Sequence, residues 1–160
     1  MRGPVVTPRY FNNPEATALA KIRDPLTGEI LHRMGDVGYI DDRGRLWFCG
    51  RKSHRVVTPW GTLFTDMVEP VLNTVEGVVR TALVGVTRQG VTHPVICVET
   101  ETAAWPELVL ALQAKSRFAN TFLRHPSFPV DVRHNSKIFR EKLAVWADKQ
   151  LGPTWNGGPA

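Results

Sequence analysis

The chain has 160 residues, 42% of them hydrophobic and 22% charged, and its net charge is +5 at neutral pH. This length and composition allow a buried core without disulfides or structural metals, and they exclude intrinsic disorder. No apolar run approaches the ~20 residues of a membrane span, the first residues lead into no signal-peptide core, and Cys49 and Cys97 are too few for a disulfide framework. We therefore expect a soluble cytoplasmic protein.

The first third of the chain is rich in turn residues and predicts short elements. Asn13 is a good helix cap, and the proline that follows it suits the first turn of a short helix over 14–22. A short strand is expected over 29–33. Alternating residues on both sides of an Asp-Asp-Arg-Gly turn predict a β-hairpin over 37–49, with Gly44 in the left-handed conformation.

The pattern changes near residue 51, where longer apolar runs begin. Asp66 is expected to open a helix, with Glu69 completing a capping box. The remaining expected elements are strands over 78–86 and 95–99, a long amphipathic helix over 104–123, a short strand over 130–132 and a helix over 139–151. This order predicts an α+β fold, with a β-rich part over 1–51, an α+β domain over 52–151 and a flexible tail over 152–160.

Positive charge is concentrated between Arg43 and Arg55, and 14 of the 20 basic residues are arginine. Guanidinium groups match phosphate oxygens, so the cluster suits a phosphate-bearing partner, although a solvated basic surface is an equally good interpretation. Charge alone does not separate a nucleotide from a nucleic acid. The histidines and cysteines have no ligand spacing, so no metal site is expected, and phosphate-binding glycine loops and a GxSxG motif are absent from the sequence.

Three polar segments could carry chemistry. Asp36 lies between two glycines just before the hairpin, where a carboxylate can accept from the two hydroxyls of a ribose or can cap a turn. Arg51 follows Gly50 and could bind an anion or lie in a solvated loop. Lys137 lies in a polar, turn-forming run just before the last helix. A single mobile cation on such a loop suits the electrostatic stabilisation that acyl–phosphate chemistry requires.

Together these segments resemble the motifs of the adenylate-forming enzymes, a family that includes acyl-CoA synthetases, adenylation domains of nonribosomal peptide synthetases and firefly-type luciferases. The resemblance covers residues 3–151. The matching phrases are Gly3-Pro4 with Tyr10 and Asn13-Pro-Glu-Ala-Thr17, then Met34-Gly-Asp36 with Asp41 to Gly44 and Gly50-Arg51, and last Asn135-Ser-Lys-Ile-Phe-Arg140.

The resemblance implies a role for each matching residue. Asp36 corresponds to the family acid that binds the ribose hydroxyls of ATP and of the acyl-adenylate, and Arg51 to an arginine that also reaches the nucleotide. Lys137 corresponds to the lysine that bridges carboxylate and phosphate during adenylation. Ser53 lies at the hinge, where the family usually has Asp or Lys.

The resemblance also implies the fold and the parts that are missing. The fold would be the small C-terminal lid domain, a sheet flanked by helices, preceded by a β-rich remnant of the large N-terminal domain. The phosphate loop and the acyl pocket of the family have no counterpart here. The chain would therefore need an N-terminal adenylation domain as its partner, ATP and Mg would be bound mainly by that domain, and the chain alone would be inactive.

Two departures point to one group within the family: Trp60 after the hinge, and Asn135-Ser136 before Lys137, where most members have Ser-Gly. Thioester-forming members have a glycine after the hinge that admits the pantetheine arm of CoA, and here Trp60 falls on it, with Gly61 one place later. The phrases over 32–36 and 46–56 resemble members that adenylate a 2-alkyl-3-hydroxy fatty acid and close it to a β-lactone in long-chain olefin biosynthesis. This implies a β-hydroxy fatty acid substrate, with other olefin-pathway enzymes as further partners.

Three alternatives stay open. The chain could belong to a fatty acyl-CoA synthetase or a fatty acyl-AMP ligase, and it could be an assembly fragment that docks onto an N-terminal partner. It could also be a basic nucleic-acid-binding module that uses Arg43 to Arg55. We expect no nucleic acid as partner, because the aromatic residues there alternate within a hairpin and form no stacking platform.

Overall fold

The computed structural model describes residues 1–159, and for residues 134–136 it describes the backbone only. Among these residues, no helix combines the length and the apolar character needed to cross a membrane. The helices are α1 (Pro14–Ala20), α2 (Thr65–Leu72), α3 (Trp105–Lys115) and α4 (Arg140–Leu151), with a 3-10 turn at Lys52–His54. The strands are β1 (Lys21–Arg23), β2 (Ile30–His32), β3 (Asp36–Ile40), β4 (Leu46–Arg51), β5 (Val56–Thr58), β6 (Gly61–Leu63), β7 (Arg80–Arg88), β8 (Val91–Glu99), β9 (Phe122–His125), β10 (Val130–Asp131) and β11 (His134–Ile138).

The N-terminal elements confirm the expected order. The Oδ1 atom of Asn13 accepts a hydrogen bond from the Ala16 amide at 3.0 Å and caps α1. The helix is shorter than predicted, because the chain becomes extended at Lys21 and continues as β1, which pairs with β2. The predicted hairpin is present as β3 and β4, and Gly44 in its turn has a φ of 74°.

Among the described residues, two hydrophobic cores lie on a three-stranded sheet in the order β7-β8-β9, in which β8 pairs antiparallel with β7 and parallel with β9. Successive side chains of a strand point to opposite faces. Leu83 and Ile96 therefore pack under α2 and α3, whereas Val84 and Val95 pack under α4. Covering both faces explains why β7 and β8 read as nearly continuous apolar runs.

The predicted helix over 104–123 is wrong in its second half. Helix α3 ends at Lys115, and the Ser116 hydroxyl then bonds the backbone of Ala119 at 2.7 and 3.1 Å in a turn. Phe122 lies in β9, where it pairs with Ile96 of β8. The apolar residues after Ala119 belong to a buried strand, and over so short a run a buried strand is indistinguishable from a helix face.

The capping box predicted for α2 is also wrong. The helix begins at Thr65 after Phe64, and no side chain caps it. Glu69 is 9% exposed and faces the sheet, where its Oε1 atom accepts from the Leu83 amide at 2.8 Å. Glu69 serves a tertiary contact that local sequence spacing does not reveal.

The last segment of the chain is packed against the sheet, which corrects the prediction of a flexible tail from residue 152. Arg88 of β7 donates to the Gly152 carbonyl at 2.9 Å. The Gly158 carbonyl accepts from the Trp155 indole and from the Thr121 hydroxyl, each at 2.8 Å. The Trp155 ring packs on the core under α4 and anchors the segment. A segment without hydrophobic periodicity gives no sequence signal for such a contact.

Candidate active site

Asp36 and Arg51, two of the predicted site residues, face each other across the β3–β4 pair. The Arg51 guanidinium lies 3.1 Å from the Asp36 carboxylate and donates to the Met34 carbonyl at 2.7 Å. Both side chains keep access to solvent, with 31% of the Asp36 side chain and 54% of the Arg51 side chain exposed. The pair can therefore present a carboxylate acceptor and a cationic donor to one polar ligand.

Gly50 fixes the end of β4 against helix α2. Its φ is 109°, and a Cβ atom placed there would lie 2.2 Å from the Asp66 carboxylate and 2.8 Å from the Thr65 hydroxyl. No side chain fits that space, and the backbone conformation itself disfavours one. Glycine at this position thus lets α2 approach the strand that carries Arg51.

Asp41, a member of the quoted motif, organises the hairpin turn below this pair. Its Oδ2 atom accepts from the Trp47 indole at 2.8 Å and from the Arg45 guanidinium at 2.7 Å, and its Oδ1 atom accepts from the Arg43 and Arg45 amides. These bonds, with that from Trp47 the strongest, lower the pKa of Asp41 to about 2. Asp41 is thus committed to the turn, whereas Asp36 remains available.

Ser53, the predicted hinge residue, lies exposed in the 3-10 turn that joins the two parts of the chain. It lines a groove of about 310 Å³ together with His54, Arg140 and Glu141. Burial lowers the pKa of His54, and the positive charges of Arg140 and Arg51 lower it further. The turn therefore lies in the field of basic residues from both parts of the chain.

Trp60 and Gly61 lie at the tip of the β5–β6 hairpin. Trp60 is 73% exposed, and its ring centroid lies 6.0 Å from that of His93. Trp60 and Gly61 line a cavity of about 510 Å³ that Arg117 and Phe118 also border. A Cβ atom at Gly61 would meet open space, although the φ of 141° at this residue favours glycine.

Lys137 lies on β11, not on the loop that the polar sequence predicts, because residues 134–138 pair with β10. Its side chain is 64% exposed, and its Nζ atom lies 4.0 Å from the Asp131 carboxylate. Bonds from the Arg133 backbone and side chain lower the pKa of Asp131, and the charge of Lys137 adds to the effect. The Lys137 amine is thus largely exposed and only loosely paired, so it is accessible to a ligand.

One contact near Lys137 was missed by the sequence analysis. The Arg140 guanidinium forms a forked pair with the Glu69 carboxylate, with N–O distances of 2.6 and 3.2 Å. Burial raises the pKa of Glu69, and the charge of Arg140 partly offsets the effect. The only sequence signal was an acidic residue on the apolar side of a helix.

The site fits part of a nucleotide better than it fits a metal. The exposed Asp36 carboxylate suits a ribose diol and the Arg51 guanidinium suits an anion. Over residues 1–159, apart from the side chains at 134–136, no group of three or more histidine, cysteine or acidic residues could hold a metal ion.

Comparison with known proteins gives relatives that extend well beyond this chain. No profile of a known protein family matches it. The olefin β-lactone synthetase of Stenotrophomonas maltophilia is 55% identical over 160 residues, which is 93% of this chain and 29% of that protein. The 4-chlorobenzoate–CoA ligase of an Arthrobacter species is 41% identical over 155 residues, which is 90% of this chain and 28% of the ligase. The chain thus spans less than a third of the length of the curated relatives it matches.

The fold also resembles a solved structure. The crystal structure of ATP-bound MatB from Rhodopseudomonas palustris superposes with a TM-score of 0.73 at 20% identity, over 94% of this chain and 30% of MatB. At this identity the likeness concerns the fold alone. The α+β lid with a β-rich segment before it, which the sequence predicts, is confirmed.

Proposed function

By sequence and fold this chain belongs with the C-terminal portion of the adenylate-forming enzymes, and from that premise we propose that it is part of an ATP-dependent β-lactone synthetase. The complete enzyme adenylates a 2-alkyl-3-hydroxy fatty acid and closes it to the lactone. The observation that carries the proposal is the 55% identity to an olefin β-lactone synthetase over 93% of the chain. The exposed Asp36, Arg51 and Lys137 side chains support it.

The reaction has two balanced steps. The substrate carboxylate attacks the α-phosphorus of ATP, which forms the acyl-adenylate and releases pyrophosphate. The 3-hydroxyl oxygen then attacks the acyl carbon, the bond to AMP breaks, the hydroxyl proton leaves to solvent and the four-membered ring closes. The second nucleophile is internal, so the enzyme needs no CoA.

Each candidate residue has a role in this scheme. Asp36 accepts from the ribose hydroxyls, and Arg51 both orients that carboxylate and meets the nucleotide. Lys137 stabilises negative charge where carboxylate and phosphate meet during adenylation. Ser53 is the hinge between the parts of the chain. An N-terminal adenylation domain supplies the acyl pocket and most of the ATP and magnesium site.

A hybrid enzyme tests the proposal. Residues 1–160 replace the matching portion of the Stenotrophomonas synthetase, and the hybrid receives ATP and a 2-alkyl-3-hydroxy acid with or without CoA. We expect pyrophosphate, AMP and a lactone that mass spectrometry finds one water lighter than the acid, whether or not CoA is added. A folded hybrid that releases no pyrophosphate, beside an active native synthetase, would overturn the proposal.

The second candidate is an acyl-CoA synthetase, which the 41% identity to 4-chlorobenzoate–CoA ligase favours. In that case Gly61 lines the passage for pantetheine and Trp60 lies beside it. The same assay separates the two functions, since a thioester that forms only with CoA and no lactone would identify a synthetase of this second kind.

A further inference from the structure

The Glu69–Arg140 pair is a buried, forked ion pair that the proposed reaction does not use directly. Arg140 Nη2 lies 2.6 Å from Glu69 Oε2, and Arg140 Nε lies 3.2 Å from Oε1. Only 12% of the Glu69 side chain and 15% of the Arg140 side chain are exposed. Two parallel charge-assisted bonds fix the relative orientation of the groups as well as their distance.

Glu69 connects three elements through this pair. It belongs to α2, its Oε1 atom also accepts from the Leu83 amide of β7 at 2.8 Å, and Arg140 is the first residue of α4. Glu69 thus ties the start of α4 to α2, which packs on the opposite face of the sheet, and to the edge strand β7.

The fastened end lies close to Lys137 along the chain. Between Lys137 and Arg140 stand Ile138, which is 7% exposed in the core under α4, and Phe139, whose amide donates to the Pro129 carbonyl at 2.9 Å. Little backbone freedom remains over these residues. The Lys137 Cα atom is therefore held by the β10–β11 pairing on one side and, through Ile138 and Phe139, by the start of α4 on the other.

The lysine side chain itself has a weak attachment. It is 64% exposed and its ion pair with Asp131 has a 4.0 Å separation. With the lysine exposed and the charged atoms 4.0 Å apart, this pair contributes little to holding the long side chain, although Asp131 itself is buried. Accurate placement of the amine consequently depends on the backbone beneath it.

We propose that Glu69 and Arg140 are positioning residues for Lys137, so that breaking their pair slows adenylation by displacing the lysine. The inference rests on the proposed function, because it assumes that Lys137 acts in the first step. Displacing a catalytic group by about 1 Å can cost on the order of 100-fold in rate.

The test uses the hybrid enzyme and separates positioning from general stability. Arg140→Ala and Glu69→Gln are each made alone and with Lys137→Ala, and Arg140→Lys serves if the alanine variant does not fold. The matched control is Arg88→Ala. Arg88 has a 17% exposed side chain, also lies against α4 and pairs with Asp148 near the far end of that helix.

Two rates are measured, namely pyrophosphate release from ATP and acid, and lactone formation from a supplied 2-alkyl-3-hydroxyacyl-adenylate. We expect Arg140→Ala to lower the first rate by about 10- to 100-fold and to leave the second unchanged. In the Lys137→Ala background the same change should have no further effect, since two residues that act through one group are not additive. Arg88→Ala should lower the unfolding midpoint and leave both rates unchanged.

The outcomes distinguish the two proposals. Loss of both rates in Arg140→Ala, or full additivity with Lys137→Ala, would overturn the positioning role while the unmodified hybrid remains active. An unmodified hybrid without pyrophosphate release would overturn the proposed function itself.

Discussion

At the scale of single residues, the Asp36–Arg51 pair combines attachment with access. The 3.1 Å ion pair and the bond from Arg51 to the Met34 carbonyl hold both side chains in one orientation. Their exposure shows that neither is consumed by the fold, in contrast with Asp41, whose two oxygens accept four bonds from its own turn. Asp36 and Asp41 thus have different roles although both are aspartates, because their exposure and hydrogen-bond partners differ.

Lys137 gives the most direct residue-scale prediction. Replacing it with alanine in the hybrid enzyme removes one electrostatic donor, which should slow pyrophosphate release by about 10²- to 10³-fold. Urea unfolding should change little, because the side chain is largely exposed. Arg133→Ala is the control, since Arg133 also pairs with Asp131. A Lys137→Ala enzyme with near normal pyrophosphate release would refute the assignment.

Trp60 carries a prediction about the second nucleophile. If its indole closes the passage for pantetheine, Trp60→Gly in the hybrid enzyme should permit a CoA thioester to form beside the lactone, and mass spectrometry of the products would detect it. Phe118→Gly is a matched control, because Phe118 borders the same cavity and is also exposed. Thioester formation by the unmodified hybrid, or none in the Trp60→Gly enzyme, would contradict the plug.

At the scale of elements, the β3–β4 hairpin depends on an ionised Asp41. The pKa of this carboxyl is about 2 in the folded chain against an ordinary value of 3.8, since the Trp47 indole and the Arg45 amide donate to it. Because the pKa is lowered, the ionised carboxylate stabilises the turn at pH values above the ordinary pKa of 3.8. That contribution is lost as the pH falls toward 2.

The pH dependence is testable by amide hydrogen exchange. In the wild-type chain the Arg45 amide should be protected at pH 6 and should lose protection between about pH 4 and pH 2. Asp41→Asn should be less protected at pH 6 and nearly insensitive to pH over that range. Asp42→Asn, one residue further along the same turn, is the control and should behave like wild type; equal behaviour of the two variants would count against the role of Asp41.

The elements that the sequence predicts correctly are those with a strong local signal. The Asn13 cap and the turn with Gly44 follow from side-chain and backbone preferences that act within four residues. The errors lie where tertiary contacts decide. Phe122 continues the apolar pattern of α3 but lies in a parallel strand. The Glu69 carboxylate bonds to the sheet and to Arg140 and does not cap its own helix.

The candidate site follows the same division. Asp36, Arg51 and Lys137 are predicted as site residues because each lies in a short motif with its own chemistry. Their pairing is only partly visible in the sequence, since the hairpin register brings Asp36 opposite Arg51. The Lys137–Asp131 contact needs the pairing of β10, which the sequence predicts, with β11, which the polar run concealed.

At the scale of the whole molecule, the two parts of the chain differ in how they are stabilised. All residues of the two hydrophobic cores lie at position 56 or later, and none of residues 1–48 is buried in the structure as described. Large apolar side chains of the first part are open to solvent, with Phe11 99% and Leu26 95% exposed. Such a surface suits a segment that normally packs on a larger neighbour.

This difference predicts that residues 52–160 fold alone. Deleting residues 1–51 removes the buried Cys49 but no member of the two core clusters, so the thermal midpoint of the shorter chain should lie close to that of the 160-residue chain. The shorter chain should also bind less of a dye that reports exposed apolar surface, because Phe11, Leu26 and the β3–β4 hairpin are gone. Circular dichroism and dye fluorescence measure the two effects. A shorter chain that does not fold would show that the contact of Gly50 with α2 supports the whole molecule, and the boundary near residue 51 would then divide no independent domains.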